Sequence, residues 1–163
     1  MILNKQKKVR LATRPLREFL RKTQHELNIT HSEITIAFVS DKEIACWNEA
    51  YRNKRGPTDV LSFPAIFGVS HKPPQKINGA KPGEMLSGIA RKRHPAPPEI
   101  LGDIAIAPET AKRYAKKNGR SLQTEIRVLM LHGVLHLMGY DHESDTGQMN
   151  RIEQRLRRRL GIA

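Results

Sequence analysis

Three histidines lie close together in the stretch LHGVLHLMGYDHESD, which spans residues 131–145. His132 and His136 are four residues apart, so on a helix they differ by about 40° in direction and about 6 Å in rise, and both imidazoles can reach one metal ion. Gly139 allows a sharp turn after them, and His142 can then fold back as a third ligand. Three neutral imidazoles around one Zn²⁺ leave a fourth position open for water, whose pKa the metal lowers toward roughly 7.

A lone histidine on an apolar helix is more often a hydrogen-bonded core residue than a ligand, and the spacing of the set is what favours metal binding here. The other histidines, His25, His31, His71 and His94, have no partners at ligand spacing and are predicted to lie on the surface. Three imidazoles suit Zn²⁺, and they also suit Ni²⁺, Cu²⁺ or Fe²⁺.

The residue after the first histidine sets this stretch apart from the metalloprotease helix H-E-x-x-H. In those proteases the glutamate at that position handles the proton of the attacking water. Gly133 stands there in this chain and cannot do so.

The charge balance favours a polyanionic partner. The chain carries 29 Lys and Arg against 16 Asp and Glu, a formal net charge of +13, which suits RNA, DNA or an anionic surface. A solvated basic face is the alternative interpretation. Aromatic residues make up only 5% of the chain, so contact with the phosphate backbone is a better expectation than serial base stacking.

Cysteine usage and hydropathy predict a cytoplasmic protein. Cys46 is the single cysteine, which fits a reducing compartment and leaves metal binding to His and carboxylate ligands. The longest apolar stretch, residues 128–138, is shorter than the ~18 residues that a membrane span requires. The basic N-terminal residues are followed by no continuous apolar segment, so neither a membrane anchor nor a secretory signal is expected.

The pattern of apolar residues predicts alternating helices and strands in one α+β domain, residues 1–163. Strands are predicted at residues 33–38, 60–63 and 103–107, and Ser40 with Glu43 forms a capping-box pattern before a helix that ends near Tyr51. Four other helices are predicted: one covers residues 16–28, and one begins at Pro108 and ends near Gly119. A third follows Ser121 and carries the first two histidines. The last begins near Asp145 and buries Met149, Ile152, Leu156 and Leu160.

Residues 64–100 interrupt this pattern. They hold seven of the ten prolines and several glycines, which predicts a flexible loop and not a second domain.

Three blocks of the sequence resemble one family. HGVLHLMGYDH is similar to the H-G-x-L-H-L-x-G-Y-D-H signature of the YbeY family of bacterial metal-dependent endoribonucleases. The segment YRNKRGPTDVLSFP at residues 51–64 resembles that family's Y-R-x-K-x-x-P-T-D-V-L-S-F-P block, and LGDIAIAPETA at residues 101–111 resembles its L-G-D-I-x-I block. The family joins the last two blocks by a much shorter loop, so residues 64–100 look like an insertion.

The resemblance implies a fold, a site and an activity. The fold is similar to that of zinc proteases, with a small, mixed and mostly parallel sheet packed with helices, one of which bears the HxxxH pair. His132, His136 and His142 correspond to the family's metal ligands, and Arg52 corresponds to its functionally important arginine. The implied activity is that of a cytoplasmic zinc-dependent, single-strand-specific endoribonuclease that matures the 3′ end of small-subunit ribosomal RNA and acts in ribosome quality control.

These residues suggest a mechanism in which metal-activated water attacks a phosphodiester while Arg52 stabilises the charge that develops on the phosphate oxygens. Asp141 and Glu143 are candidates for proton carriers or for hydrogen-bonding partners of the ligating imidazoles. Asp59 and Asp103 lie in apolar strand-like runs and are expected to organise the sheet and the metal helix. Two alternatives stay open: a metalloprotease, and a non-enzymatic ribosome-assembly factor whose metal is structural.

Overall fold

A computed structural model of the chain describes residues 1–65, 99–141 and 145–163. Within these ranges the chain forms a small α+β fold, which confirms the predicted class. Its elements, in chain order, are β1 (Ile2–Asn4), α1 (Thr13–Glu26), β2 (Ser32–Phe38), α2 (Asp41–Arg52), β3 (Val60–Pro64), β4 (Glu99–Ile106), α3 (Pro108–Lys117), α4 (Leu122–Leu137) and α5 (Gln148–Arg159).

The four strands form one mixed sheet in the order β1-β2-β4-β3. β1 and β4 pair in parallel with the two edges of β2, and β3 pairs antiparallel with β4. The sheet is therefore mostly parallel, as predicted.

Side chains alternate between the two faces of the sheet because successive residues of a strand point to opposite sides. Ile34, Ile36 and Phe38 of β2 are buried on one face, and Ile104 and Ile106 of β4 lie on the same face within the main core. Helices α1, α4 and α5 contribute most of the rest of this core. The main core thus fixes α4, the histidine helix, against the centre of the sheet.

A smaller cluster lies on the other face. Leu61 and Ala105 pack there with Ile44 of α2, and Trp47 is partly buried against them. Helix α2 therefore covers the face of the sheet opposite α4.

The predicted helix starts follow local hydrogen bonds. Ser40 and Glu43 form the predicted capping box at the start of α2, and the Ser121 hydroxyl accepts the amide of Thr124 at the start of α4. Before α5, the Asp145 carboxylate accepts hydrogen bonds from the amides of Gly147, Gln148 and Met149. The helix itself begins at Gln148, three residues after the predicted start.

Two strand predictions need correction. β1 was not predicted from the sequence, because three residues that depend on pairing with β2 give no local pattern of their own. β4 begins at Glu99 and not near residue 103, because its first residues pair with β2 and β3. The predicted loop at 64–100 is thus shorter at both ends, and residues 66–98 lie outside the described ranges.

Candidate active site

The side chains of His132 and His136 meet on one face of α4. Their Nε2 atoms are 3.1 Å apart and their rings cross at 76°, with centroids 4.6 Å apart. Both side chains are partly buried. The spacing of four residues brings them together, as the sequence predicted, because it corresponds to about one helical turn.

The distance between the two nitrogens fits a shared metal ion. Two imidazole nitrogens bound tetrahedrally at ~2.0–2.1 Å from one zinc ion lie about 3.3–3.4 Å apart. The observed 3.1 Å is close to that value, and it is also a hydrogen-bond distance if one of the two nitrogens carries a proton. The donor set is therefore chemically suited to a divalent transition metal.

His142 and Glu143 lie outside the described residues. Within residues 1–65, 99–141 and 145–163, no group of three His, Cys, Asp or Glu side chains is placed to hold a metal ion. The predicted third ligand, His142, directly follows Asp141 in the sequence. Asp141 is described and is partly buried. The three-histidine site therefore stays a prediction. Two of its members, His132 and His136, lie side by side in the structure.

Glu153 of α5 is a site residue that sequence reasoning missed. Its Oε2 lies 3.1 Å from Nδ1 of His132, on the opposite side of the ring from the nitrogen that faces His136. Its other oxygen accepts a hydrogen bond from Arg157, one helical turn further along α5. A signal was present in the sequence, because Glu153 falls within the apolar stripe formed by Met149, Ile152 and Leu156.

The charge on Glu153 is maintained although the residue is buried. Burial raises the pKa of the Glu153 carboxyl, but the hydrogen bond with His132 and the positive charge of Arg157 outweigh that effect and hold the pKa below its ordinary value. The carboxylate is then an acceptor only, so Nδ1 of His132 must be the donor. A neutral His132 with its proton on Nδ1 leaves the lone pair on Nε2, the nitrogen that faces His136.

A cavity of about 400 Å³ opens beside His132. It is lined by side chains of α4, α5 and the residues before α5: His132, Asp145, Gly147, Met149, Asn150 and Glu153. The three amide hydrogen bonds to Asp145 hold this wall, with that of Met149 contributing most to a pKa of Asp145 below its ordinary value. The site is therefore concave.

Arg52 lies at the C-terminal end of α2. It is the last residue of α2 and is exposed, next to Tyr51, whose ring packs edge-on against Phe63 with centroids 5.2 Å apart. Helix α2 covers the face of the sheet opposite α4, so Arg52 and the histidines belong to elements on different faces. The structure thus brings His132 and His136 together, and Arg52 is exposed at the end of α2.

The structure bears on the predictions for the other histidines and for Asp59. His25 and His31 are exposed as predicted, and His71 and His94 lie outside the described residues. Asp59 accepts hydrogen bonds from Thr58 and from the amide of Val60, which agrees with a structural role at the start of β3.

The expectation that Asp103 is a buried organiser of the sheet is wrong. The side chain alternates outward from β4 between buried neighbours and is exposed, so it needs no compensating partner.

None of the described helices is both long and apolar enough to cross a membrane. Their arrangement defines a class of small α+β protein whose central helix carries paired histidines, one of which lines a cavity. The model of the family named endoribonuclease YbeY matches residues 1–161, and the chain belongs to this family of nucleases.

Relatives from several bacteria agree with that membership. The endoribonuclease YbeY of Nautilia profundicola is 36% identical over 134 residues, covering 82% of this chain and 76% of the relative. The corresponding protein of Koribacter versatilis is 34% identical over 162 residues, covering 99% and 86%, and that of Bartonella quintana is 37% identical over 147 residues, covering 88% and 78%.

A solved structure is similar in fold. The solution structure of a Thermotoga maritima protein superposes with a TM-score of 0.60 at 22% identity, covering 98% of this chain and 89% of the other. At that level of identity the likeness supports the fold alone.

Proposed function

We propose that this chain is a metal-dependent endoribonuclease that cleaves single-stranded RNA. The observation that carries the proposal is the pair of Nε2 atoms, 3.1 Å apart beside a cavity, in a chain that belongs to an endoribonuclease family. His132, His136 and His142 are the proposed ligands of one Zn²⁺ or a similar divalent ion. When bound, such an ion supplies Lewis acidity and a water acidic enough to act as a nucleophile near neutral pH.

The protein's own residues have distinct proposed tasks. His132 and His136 hold their Nε2 atoms toward one point, and the cavity wall from Asp145 to Glu153 bounds the space beside them. Asp141 and Glu143 stay candidates for carrying the proton. The net charge of +13 favours a polyanionic substrate, since clustered cations attract the phosphate backbone.

Arg52 is the proposed contact for the phosphate group of the substrate. Its guanidinium can donate two parallel hydrogen bonds to phosphate oxygens, and its exposed position leaves it accessible to RNA. Loss of such a contact typically lowers the turnover rate about 10²–10³-fold.

The biological substrate we propose is ribosomal RNA, with action at the 3′ end of the small-subunit RNA, in ribosome quality control and in the cytoplasm. Support comes from the family and from the basic charge. The similarity of the fold to zinc proteases belongs to the same proposal.

A metalloprotease is the less favoured alternative. Gly133 occupies the position of the protease glutamate, and a Cβ built on it would lie 2.9 Å from two carbons of Ile104. This position therefore faces the sheet, and a glutamate there has no room. Hydrolysis of casein by the zinc-loaded protein would favour the protease.

The decisive experiment is cleavage of a labelled single-stranded RNA by protein reconstituted with zinc. We expect cleavage by the wild-type chain, its loss in His132→Ala and His136→Ala, and a reduction of about 10²–10³-fold in Arg52→Gln. Arg14→Gln, which removes an equally exposed arginine from α1, is the matched control and is expected to cleave normally. Full cleavage by His136→Ala would contradict the proposal.

A second measurement distinguishes a catalytic metal from a structural one. Thermal melting with and without chelator should show a small shift if the metal serves catalysis, because the main core consists of apolar side chains and includes neither His132 nor His136. Unfolding on chelation would instead support the assembly-factor alternative. Elemental analysis of the native protein identifies the metal.

A further inference from the structure

The carboxylate of Glu153 lies between two nitrogen donors in the interior of the protein. The residue is only 7% exposed, one oxygen lies 3.1 Å from His132 Nδ1, and the other accepts from Arg157. Both of its oxygens are thus engaged by named donors. Burying a carboxylate costs free energy unless its oxygens accept hydrogen bonds. The two donors therefore hold the Glu153 carboxylate in one orientation, and the carboxylate in turn orients the His132 ring.

The contact determines which nitrogen of His132 carries the proton. A neutral imidazole has a single N–H, and a carboxylate that accepts from Nδ1 keeps that proton there. The lone pair is then on Nε2, which lies 3.1 Å from Nε2 of His136. A divalent transition metal binds an imidazole through such a lone pair, and ligating histidines commonly donate their other N–H to a carboxylate.

Arg157 holds the carboxylate in place. It lies one turn after Glu153 on α5 and is itself only partly exposed, so its guanidinium cannot turn freely into solvent. Because it binds the oxygen that His132 does not use, it fixes the rotation of the carboxylate toward the imidazole. The position of α5 thereby affects the orientation of the His132 side chain on α4.

We propose that Glu153, held by Arg157, is a positioning residue that fixes His132 as the Nδ1–H tautomer and presents its Nε2 to a divalent transition metal. This inference rests on the proposed metal-dependent function for its purpose. We expect the same tautomer in the metal-free protein, because the contact between Glu153 and Nδ1 of His132 does not involve a metal.

The first test uses metal-free full-length protein labelled with ¹⁵N. Long-range ¹H–¹⁵N correlation spectra of the imidazoles should show the Nδ1–H form for His132 in the wild type. Glu153→Met preserves the approximate size of the side chain but has no oxygen acceptor, and it should lose that fixed form. Glu26→Met is the matched control. It removes a carboxylate of α1 that pairs with Arg159 of α5, and it should leave the His132 signals unchanged.

The second test measures zinc affinity by competition with a chromogenic chelator. Glu153→Met should bind zinc about 10–100-fold more weakly than wild type, the usual effect of losing such a partner. Glu153→Gln, the more conservative change if Glu153→Met does not fold, should bind several-fold more weakly because only one end of its amide accepts a hydrogen bond. Glu26→Met should bind zinc as wild type does.

The outcomes separate this inference from the proposed function. Retention of the Nδ1–H form in Glu153→Met, or zinc affinity within twofold of wild type in both Glu153 variants, would overturn the positioning role. A wild-type protein that shows the fixed tautomer and binds zinc but leaves RNA uncut would sink the proposed nuclease activity while supporting the positioning role.

Discussion

Gly133 determines how closely α4 approaches the sheet. A Cβ built on it would lie 2.9 Å from both Cδ1 and Cγ2 of Ile104, in the central part of β4. The Ser62 hydroxyl reaches the Gly133 carbonyl from β3, which places two strands against this one turn of the helix. The missing glutamate is thus explained by packing, because this position faces the sheet while His132 lines the cavity.

We predict that Gly133→Ala destabilises the protein by about 1–3 kcal/mol, the usual cost of overpacking a core. The same change in a helix without such a contact stabilises it by roughly 0.5–1 kcal/mol. Urea unfolding gives the free energies. In an Ile104→Ala background, where the contacting carbons are gone, the cost of Gly133→Ala should largely disappear, and a more stable Gly133→Ala protein in the wild-type background would contradict this packing argument.

Helix α5 is anchored by a single carboxylate at its start. Asp145 accepts the amides of Gly147 at 2.6 Å, Gln148 at 3.0 Å and Met149 at 2.7 Å. Free amides at a helix N-terminus otherwise need water or another acceptor. Because Glu153 lies two turns further along the same helix, the anchor also affects the position of the residue behind His132.

We predict that the Asp145 anchor is lost at low pH. The amide hydrogen bonds, that of Met149 first, lower the pKa of Asp145 in the folded protein. Its contribution to stability is therefore present above the ordinary pKa of an aspartate and is lost as the pH falls through the lowered value. Asp145→Asn should be less stable than wild type at pH 7, with faster amide exchange at Gly147 and Met149.

The difference in unfolding free energy between wild type and Asp145→Asn should shrink as the pH is lowered, because a protonated aspartate resembles asparagine. Asp103→Asn, on the exposed side of β4, removes the same charge without breaking a described hydrogen bond and serves as the control. A difference that stays constant from pH 7 to pH 2 would contradict the anchor.

The whole molecule carries its positive charge unevenly. On α5, Arg157 is engaged by Glu153 and Arg159 by Glu26, whereas Arg155 and Arg158 are exposed without an ion pair to the part of the chain that the structure describes. These two arginines lie on one side of the helix whose other side lines the cavity. Under the proposed function, they are candidates for contacts with RNA phosphates beyond the cavity.

We predict that the affinity for single-stranded RNA falls linearly with the logarithm of salt concentration. Each phosphate contact contributes a slope of about −0.7, because binding releases condensed counterions. Arg155→Gln with Arg158→Gln should reduce the magnitude of the slope by about 1.4 if each arginine contacts one phosphate. The pair Arg14→Gln and Arg17→Gln on α1 removes the same charge, and an equal loss of slope in that variant would show that only net charge matters.

Local patterns in the sequence determined much of this protein. The alternation of Ile34, Ile36 and Phe38, the capping box at Ser40 and the spacing of His132 and His136 depend only on the geometry of one strand or one helix, so they could be predicted without the fold. The tertiary structure decided what depends on pairing between distant segments.

The start of β4 at Glu99, the strand β1, the packing of Gly133 on Ile104 and the carboxylate of Glu153 behind His132 all belong to that second group. Glu153 is 21 residues from His132 in the sequence, and no periodicity within one helix relates residues on two packed helices. The sequence by itself therefore identified the paired histidines, and only the packing of α5 against α4 placed a carboxylate beside Nδ1 of His132.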